Sequence, residues 1–387
     1  MMKRKICFFT GTRAEYGIMS RLMRLVKESE DCDIQIIATN MHLSPEFGLT
    51  YKEIEADGFI INKKVEMLLS SDTANGTVKS MGLATIGFAD ALEDLKPDLA
   101  VILGDRYEML AAAQSCLIYK IPVAHLYGGE ITLGAYDDAI RHAISKLSHL
   151  HFTSTEEYRH NIIQMGENPD RVFYVGSLGV DNIKNEPIMS REQLSESLNF
   201  NLLDKFILVT YHPVTMENLT AEHQIADLLK AFENIIGDYK ILFTLPNSDT
   251  GGRIIISKIE DFVNQHSNRA FAIDSLGKKR YYSALKYATA VVGNSSSGLV
   301  EAPSFKIPTL NIGSRQEGRA RGASVLDVSA DYDGISKGLT TVLSLEYQNI
   351  AKTSTNPYEK AGTLESIFDI IEKYPLEGLV KKEFYKV

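Results

Sequence analysis

Cysteine is scarce in this chain: Cys7, Cys32 and Cys116 are three among 387 residues, scattered and mostly in apolar surroundings. They exclude a disulfide frame and read as reduced small hydrophobes of a cytoplasmic protein. His149-Leu150-His151 is a close histidine pair, but no cysteine or carboxylate set accompanies it at metal spacing, so no metal site is expected. Long apolar runs are missing too. The run after Met1-Met2-Lys3-Arg4-Lys5 stops at Gly11, too short for a signal peptide, and no stretch reaches membrane-spanning length, so membrane insertion is not expected. Positive charge is in deficit, with 41 Lys and Arg against 50 Asp and Glu, a net charge of −9. Without a continuous basic stripe the chain is not expected to bind nucleic acid, and an anionic ligand requires a few arginines converging locally. Neither GxGxxG nor GxxxxGK[ST] occurs, and no serine-histidine-acid order, nucleophile elbow or kinase signature is present.

What is there is the composition of a folded enzyme, 44% hydrophobic and 24% charged. The length exceeds one ordinary hydrophobic core, so two domains of roughly 150 to 200 residues are expected. Short apolar runs alternate with amphipathic segments. Strands are expected at Lys5 to Thr10, Ile34 to Thr39, Asp98 to Leu103, Pro122 to Leu126 and Arg171 to Val175. The polar stretch Asn182 to Asn201, with Pro187, reads as a linker. The pattern then restarts, with strands at Phe206 to Thr210, Tyr239 to Leu245, Ala290 to Gly293 and Thr309 to Ile312. This predicts an α/β chain of two domains, 1–180 and 181–362, with mostly parallel sheets facing a central cleft. A helix near Thr363 to Tyr374, in a segment 363–387, is expected to pack back on the first domain. Ligands of such sheets sit beyond the carboxyl ends of the strands.

The polar clusters fall at those ends. Gly11-Thr12-Arg13-Ala14-Glu15-Tyr16-Gly17 follows a strand and opens a helix, where glycine and free amides favour phosphate and Arg13 adds a fork of donors. Asn294-Ser295-Ser296-Ser297-Gly298 is the stronger diphosphate candidate, with Glu301 placed to accept ribose hydroxyls. Capping alone accounts for one serine there, not three. Asp105 leaves a buried strand and either faces the cleft or caps the next helix. Arg106 pairs locally and Glu108 faces solvent or a salt bridge. His125, Glu130, Asp137, Asp138, Arg141 and His142 gather near two strand exits, where several carboxylates can divide acid and base roles. Asp138, Arg141 and His142 have helical spacing, and His125 is either a satisfied core residue or a functional one. His212 stands at a strand exit of the second domain. Arg315, Arg319 and Arg321 make either a solvated loop or a local positive field.

GTRAEYG at Gly11 to Gly17, LGDRYE at Leu103 to Glu108, GGE at Gly128 to Glu130, DDAIRH at Asp137 to His142, HP at His212-Pro213, NSSSGLVE at Asn294 to Glu301 and RQEGR at Arg315 to Arg319 together span the chain. In these motifs it resembles the hydrolysing UDP-N-acetylglucosamine 2-epimerases of sialic acid biosynthesis, the NeuC-type enzymes. The resemblance implies a GT-B-like fold of two Rossmann-like domains closing on a UDP-sugar, with no cofactor and a homodimer or higher homo-oligomer. It implies loss of the C2 proton and of UDP to give a glycal, then addition of water to release N-acetylmannosamine. It maps UDP contacts onto Arg13, His212, Asn247, Ser296, Ser297, Glu301 and Arg319. It maps catalytic carboxylates onto Asp105 and Asp137, with Glu130 in the same acidic wall. Some members carry a glutamate two residues after the histidine equivalent to His125; Tyr127 stands there in this chain. Asp105 is therefore the expected C2 base. The alternatives are a hydrolysing epimerase of UDP-N,N'-diacetylbacillosamine, a non-hydrolysing epimerase, a GT-B glycosyltransferase and a UDP-sugar sensor.

Overall fold

In the strand β1 (Arg4–Thr10), Ile6 and Phe8 enter one apolar cluster while Cys7 and Phe9 enter another, all without exposure. A strand buried on both faces needs helices on both faces, and the rest of the sheet follows from that. The computed structural model describes residues 3–69, 73–132, 136–213, 221–235, 238–246 and 252–386. In it β1 lies within a seven-stranded sheet with β2 (Cys32–Thr39), β3 (Lys63–Val65), β4 (Leu99–Leu103), β5 (Val123–Leu126), β6 (Leu150–Thr153) and β7 (Val172–Tyr174). The order is β3-β2-β1-β4-β5-β6-β7, every pairing parallel.

A second sheet repeats this winding with β8 (Phe206–Thr210), β9 (Lys240–Thr244), β10 (Ala270–Ile273), β11 (Ala290–Gly293), β12 (Thr309–Ile312) and β13 (Val325–Val328). Its order is β10-β9-β8-β11-β12-β13, again parallel throughout. Ile207 and Val209 of β8 pack on one side of the sheet, Phe206 and Leu208 on the other. The chain is thus α/β, with two Rossmann-like units of the GT-B type. In each, the chain reverses direction across the sheet between its first and fourth strands, at β1/β4 and at β8/β11. That point opens a crevice at the carboxyl ends of the strands, the usual place for a ligand.

Contacts group the residues up to Ile131, the stretch ending at Asn182 and the segment from Lys360 on into the first unit, and Thr132 with Ile183 to Glu359 into the second. The helix Thr363–Lys373 packs in the first unit, burying Leu364, Ile367 and Ile371 among Ile6, Met19 and Leu22. Its Ile371 carbonyl accepts from Arg4 Nη1 at 2.7 Å. The polar stretch expected as a linker contains a helix, Arg191–Leu198. Ser190 and Gln193 form its capping box, and Leu194 and Leu198, four residues apart, pack with Leu202 and Phe206. Burial of each such leucine stabilises by about 2 kcal/mol, enough to draw a polar segment into the core. The three cysteines are buried and unbridged. Among the described residues no helix is long and apolar enough to cross a membrane.

Candidate active site

At the switch point of the first unit the chain leaves β1 through Gly11 and β4 through Gly104. The β1 exit does not offer its amides to a phosphate, contrary to the reading above. Thr12 caps the helix Arg13–Glu28 in a capping box, and Glu15 Oε2 accepts from Gly11 N at 2.7 Å and Thr12 N at 3.1 Å. A carboxylate from within the chain therefore satisfies the amides of this turn. Gly11 is needed for a different close approach: a Cβ there would collide with Glu108 Oε1. Arg13 is largely exposed and pairs with Glu53 at 3.2 Å.

The β4 exit carries the acidic wall. Gly104, at φ +80°, turns the chain so that Asp105 meets the guanidinium of Arg141. Asp105 does not cap the following helix, Tyr107–Ile118, whose N-cap position is Arg106. Arg141 is 2% exposed and organises this corner: Nη2 pairs with Asp105, Nη1 donates to the Glu130 carbonyl at 2.8 Å, and Asp138 lies 3.9 Å away. The side chain of Glu130 is buried and accepts from Ser154 Oγ at 2.8 Å. His125 is a satisfied core residue. Its ring bridges the Gly104 carbonyl, 2.8 Å from Nε2, and Ser145 Oγ, 3.2 Å from Nδ1, and burial pushes it down to about 3, so it stays neutral. It acts on the site by fixing the backbone just before Asp105.

Asp137, in the first turn of the helix Tyr136–Leu147, is half-buried, and burial pushes its carboxyl above the usual range while Arg106 opposes the shift. Asp138 and His142 pair with each other at 3.3 Å. Glu108 is fully buried, not in solvent, and accepts from Arg106 Nε at 2.6 Å. Tyr127 adopts φ +66°, and its hydroxyl joins Ser177 Oγ and Gly179 N, both at 2.9 Å. Tyr127 thus spends its hydroxyl on Ser177 and the first turn of the helix Leu178–Ile183 that follows β7.

The second unit builds its switch point differently. Asn294, wholly buried, clasps the His212 backbone, accepting from His212 N at 2.7 Å and donating to His212 O at 2.8 Å. Its own carbonyl accepts from Arg315 Nη1 at 3.0 Å and Gln316 Nε2 at 2.9 Å. The exits of β8 and β11 are therefore laced together, with His212 at the rim. Ser296 takes the N-cap position of the four-residue helix Ser297–Val300 with helical φ and no side-chain cap bond, while Ser295 Oγ accepts from Ser297 N at 3.4 Å. Ser297 Oγ accepts from Tyr281 OH at 2.6 Å and favours the charged form of Glu301. Burial nevertheless pushes the Glu301 carboxyl up, and Arg319 lies close enough to oppose that. Arg321 pairs with Asp327, so of the three loop arginines Arg315 and Arg321 serve the unit's own structure. Asn247 lies outside the described residues.

The first unit brings Asp105 and Glu130 together around Arg141, with Asp137 beside Arg106 and Glu108. The second gathers Ser297, Glu301 and Arg319. Arg13 pairs away from the carboxylates with Glu53. Sequence reasoning overlooked Arg141 as an organiser and the buried Glu15 and Glu108. The spacing Thr12-x-x-Glu15 before an apolar helix was the available signal for Glu15. Among the described residues no cluster of His, Cys, Asp or Glu is arranged for a metal ion.

The family model described as UDP-N-acetylglucosamine 2-epimerase matches residues 24–372. The chain is 47% identical over 327 residues to a GDP/UDP-N,N'-diacetylbacillosamine 2-epimerase (hydrolyzing) of Campylobacter jejuni, covering 84% of this chain and 85% of that one. It is 36% identical over 385 residues to the polysialic acid biosynthesis protein P7 of Escherichia coli, covering 99% and 98%. In fold it is similar to the crystal structure of UDP-GlcNAc 2-epimerase from Neisseria meningitidis bound to UDP-GlcNAc, with TM-score 0.74 and 19% identity over 95% of this chain and 99% of that one.

Proposed function

The chain belongs to the UDP-N-acetylglucosamine 2-epimerase family, and from that premise we propose that it is a hydrolysing nucleotide-sugar 2-epimerase whose preferred substrate is UDP-N,N'-diacetylbacillosamine. The observation that carries the reaction is the buried Arg141 guanidinium, which holds Asp105 and the Glu130 carbonyl at the exits of β4 and β5. In the proposed elimination Asp105 takes the C2 proton, the electron pair forms the C1=C2 bond, and the C1–O bond breaks toward UDP. Water then adds its oxygen to C1 while a proton returns to C2 on the opposite face, giving the free 2-epimer. Asp137 and Glu130 assist this hydration. Burial keeps the Asp137 carboxyl disposed to hold a proton at higher pH than usual, as an acid for that step requires.

The nucleotide end is assigned to the second unit. Ser296 and Ser297 hydroxyls, His212, Asn247 and Arg319 are proposed to stabilise the diphosphate as charge grows on it, with Arg13 of the first unit also reserved for phosphate. Glu301 is assigned to the ribose hydroxyls. Its replacement by alanine is expected to weaken UDP binding about tenfold, as loss of a charged hydrogen-bond acceptor does, measurable by titration calorimetry.

The preference among sugars rests on the 47% identity to the Campylobacter protein, against 36% to the Escherichia coli one. It replaces UDP-N-acetylglucosamine, the first expectation from sequence. The two sugars differ by the 4-acetamido group and the missing 6-hydroxyl, differences worth about tenfold or more in kcat/KM when a pocket is shaped to one of them. Incubation of the protein with each UDP-sugar and with the GDP analogue, followed by separation of nucleotide and sugar products, tests both parts. Faster release of free 2-epimer from the diacetamido substrate is expected. A higher kcat/KM on UDP-N-acetylglucosamine would reverse the substrate assignment, and epimerised UDP-sugar without free sugar would overturn the hydrolytic one.

A further inference from the structure

The reaction as written leaves two buried carboxylates beside the acidic wall without a role. Glu108 is completely buried and Glu15 is 5% exposed. One guanidinium serves both: Arg106 Nε stands 2.6 Å from Glu108 Oε1 and 4.0 Å from Glu15 Oε1. Glu15 Oε2 is held by the Gly11 and Thr12 amides. The other oxygens at this corner, Glu15 Oε1 and Glu108 Oε2, are buried with no hydrogen-bond partner among the described residues. Glu108 lies so close to Gly11 that even a methyl there would meet its carboxylate.

Two carboxylates out of water cannot both stay ionised against one cation without a large cost. A proton on Glu15 Oε1 removes the surplus charge and turns one orphaned acceptor into a donor. The other groups facing this corner do not supply that proton's equivalent. His42, from the segment after β2, is kept neutral by burial, pushed down to about 4; Tyr107 is a phenol that burial and the Glu108 charge push up, and Asp137 is another acid.

We propose that Glu15 and Glu108 are a carboxylate pair sharing one proton, which fixes Arg106 and through it the loop of Asp105 and the field at Asp137. Glu15 is thereby a positioning residue of the reaction, a role that rests on the function proposed above. Burial first, and then the neighbouring Glu108 charge, push Glu15 up to about 8. Below that pH the corner holds Arg106 against a single negative charge. As pH rises through about 8 the proton leaves, a second carboxylate competes for Arg106, and added negative charge raises Asp137 further. The folding linkage has the same sign: the stability due to the proton is complete below about 4.5 and lost as pH rises through about 8.

Glu15→Gln imitates the protonated acid, its amide oxygen accepting from the Gly11 and Thr12 amides and its NH2 facing Glu108. The wild-type kcat is expected to fall on the alkaline side with an apparent pKa near 8, with KM changing less, and E15Q to lose that limb. An alkaline limb of unchanged position in E15Q overturns the proposal. Infrared titration without substrate reads the proton directly. A protonated-carboxyl band present at pH 7 should vanish by pH 9 in the wild type. It should be missing at pH 7 in E15Q, and in E108Q it should vanish at a lower pH than in the wild type, because Glu15 no longer faces the Glu108 charge. If the wild-type band at pH 7 persists in E15Q, or vanishes at an unchanged pH in E108Q, the pair does not hold the proton. A band that behaves as expected in a protein without epimerase activity leaves the pair standing and overturns its role in this reaction.

Discussion

Asp105→Asn is expected to lower kcat/KM by about 10³-fold, the scale of losing a general base, and to abolish deuterium incorporation at C2 in heavy water. Asparagine keeps the shape of the side chain and an oxygen for Arg141, so the corner at the β4 exit keeps its geometry and loses only a base and a charge. The Arg141 guanidinium then lacks its main counter-charge. Asp138 at 3.9 Å compensates in part, and Asp105 is itself 26% exposed, so the stability loss should be about 2 kcal/mol, smaller than for breaking a fully buried pair. Circular dichroism and urea titration separate this from unfolding. Wild-type exchange at C2 in the folded variant would remove Asp105 as the base and transfer that role to Glu130 or Asp137.

Gly293→Ala should cost the second unit at least about 4 kcal/mol, among the largest effects a single methyl can have. The residue closes β11 at φ +138°, a backbone conformation effectively reserved for glycine, and a Cβ there would strike the carbonyl of Thr210 on β8. Neither strand can yield, because Gly293 pairs with Thr210 and the Asn294 clasp holds the next residues of both. UDP affinity should fall with stability, since His212 is carried by the same clasp. Gly298→Ala provides the contrast: its backbone is outside the region reserved for glycine, and its Cβ would meet the Thr309 side chain at 2.7 Å in place of a backbone carbonyl, so a smaller loss is expected. A urea midpoint for Gly293→Ala equal to that of the wild type would show that β8 and β11 are more compliant than their hydrogen bonds indicate.

The central strands were legible because a strand buried on both faces is an unbroken apolar run. Phe206–Thr210, Ala290–Gly293 and Thr309–Ile312 coincide with their sequence expectations. The strands β3, β10 and β13 were not seen. All three lie at sheet edges, and β3 is only Lys63-Lys64-Val65, too short and too polar for periodicity to register. β6 was not seen either: it is only Leu150–Thr153, and its His151, a polar residue in sequence, is buried in the fold against Glu167 at 3.2 Å. The motifs located the switch points because glycine and polar residues cluster where strands end. They did not all reveal how their polar groups are consumed. In GTRAE the spacing Thr12-x-x-Glu15 carried the signal that the glutamate takes the amides of its own turn, whereas nothing in DDAIRH says that its arginine turns inward to hold Asp105. The Asp105–Arg141 contact is long-range, 36 residues apart, and is set by which helix packs on which strand exit.

The order of segments along the chain has a consequence for synthesis. Leu364, Ile367 and Ile371 belong to the core of the first unit, yet they follow the whole second unit in sequence. As the chain leaves the ribosome, the sheet around β1 is made early but waits for nearly half of the molecule before the helix Thr363–Lys373 can cover it. During that interval the cluster of Ile6, Met19 and Leu22 lacks the three apolar side chains of the late helix, and the second unit has time to fold first as a cooperative body. The nascent first unit is therefore the stretch that chaperones should engage, and release from them should coincide with the docking of one late helix.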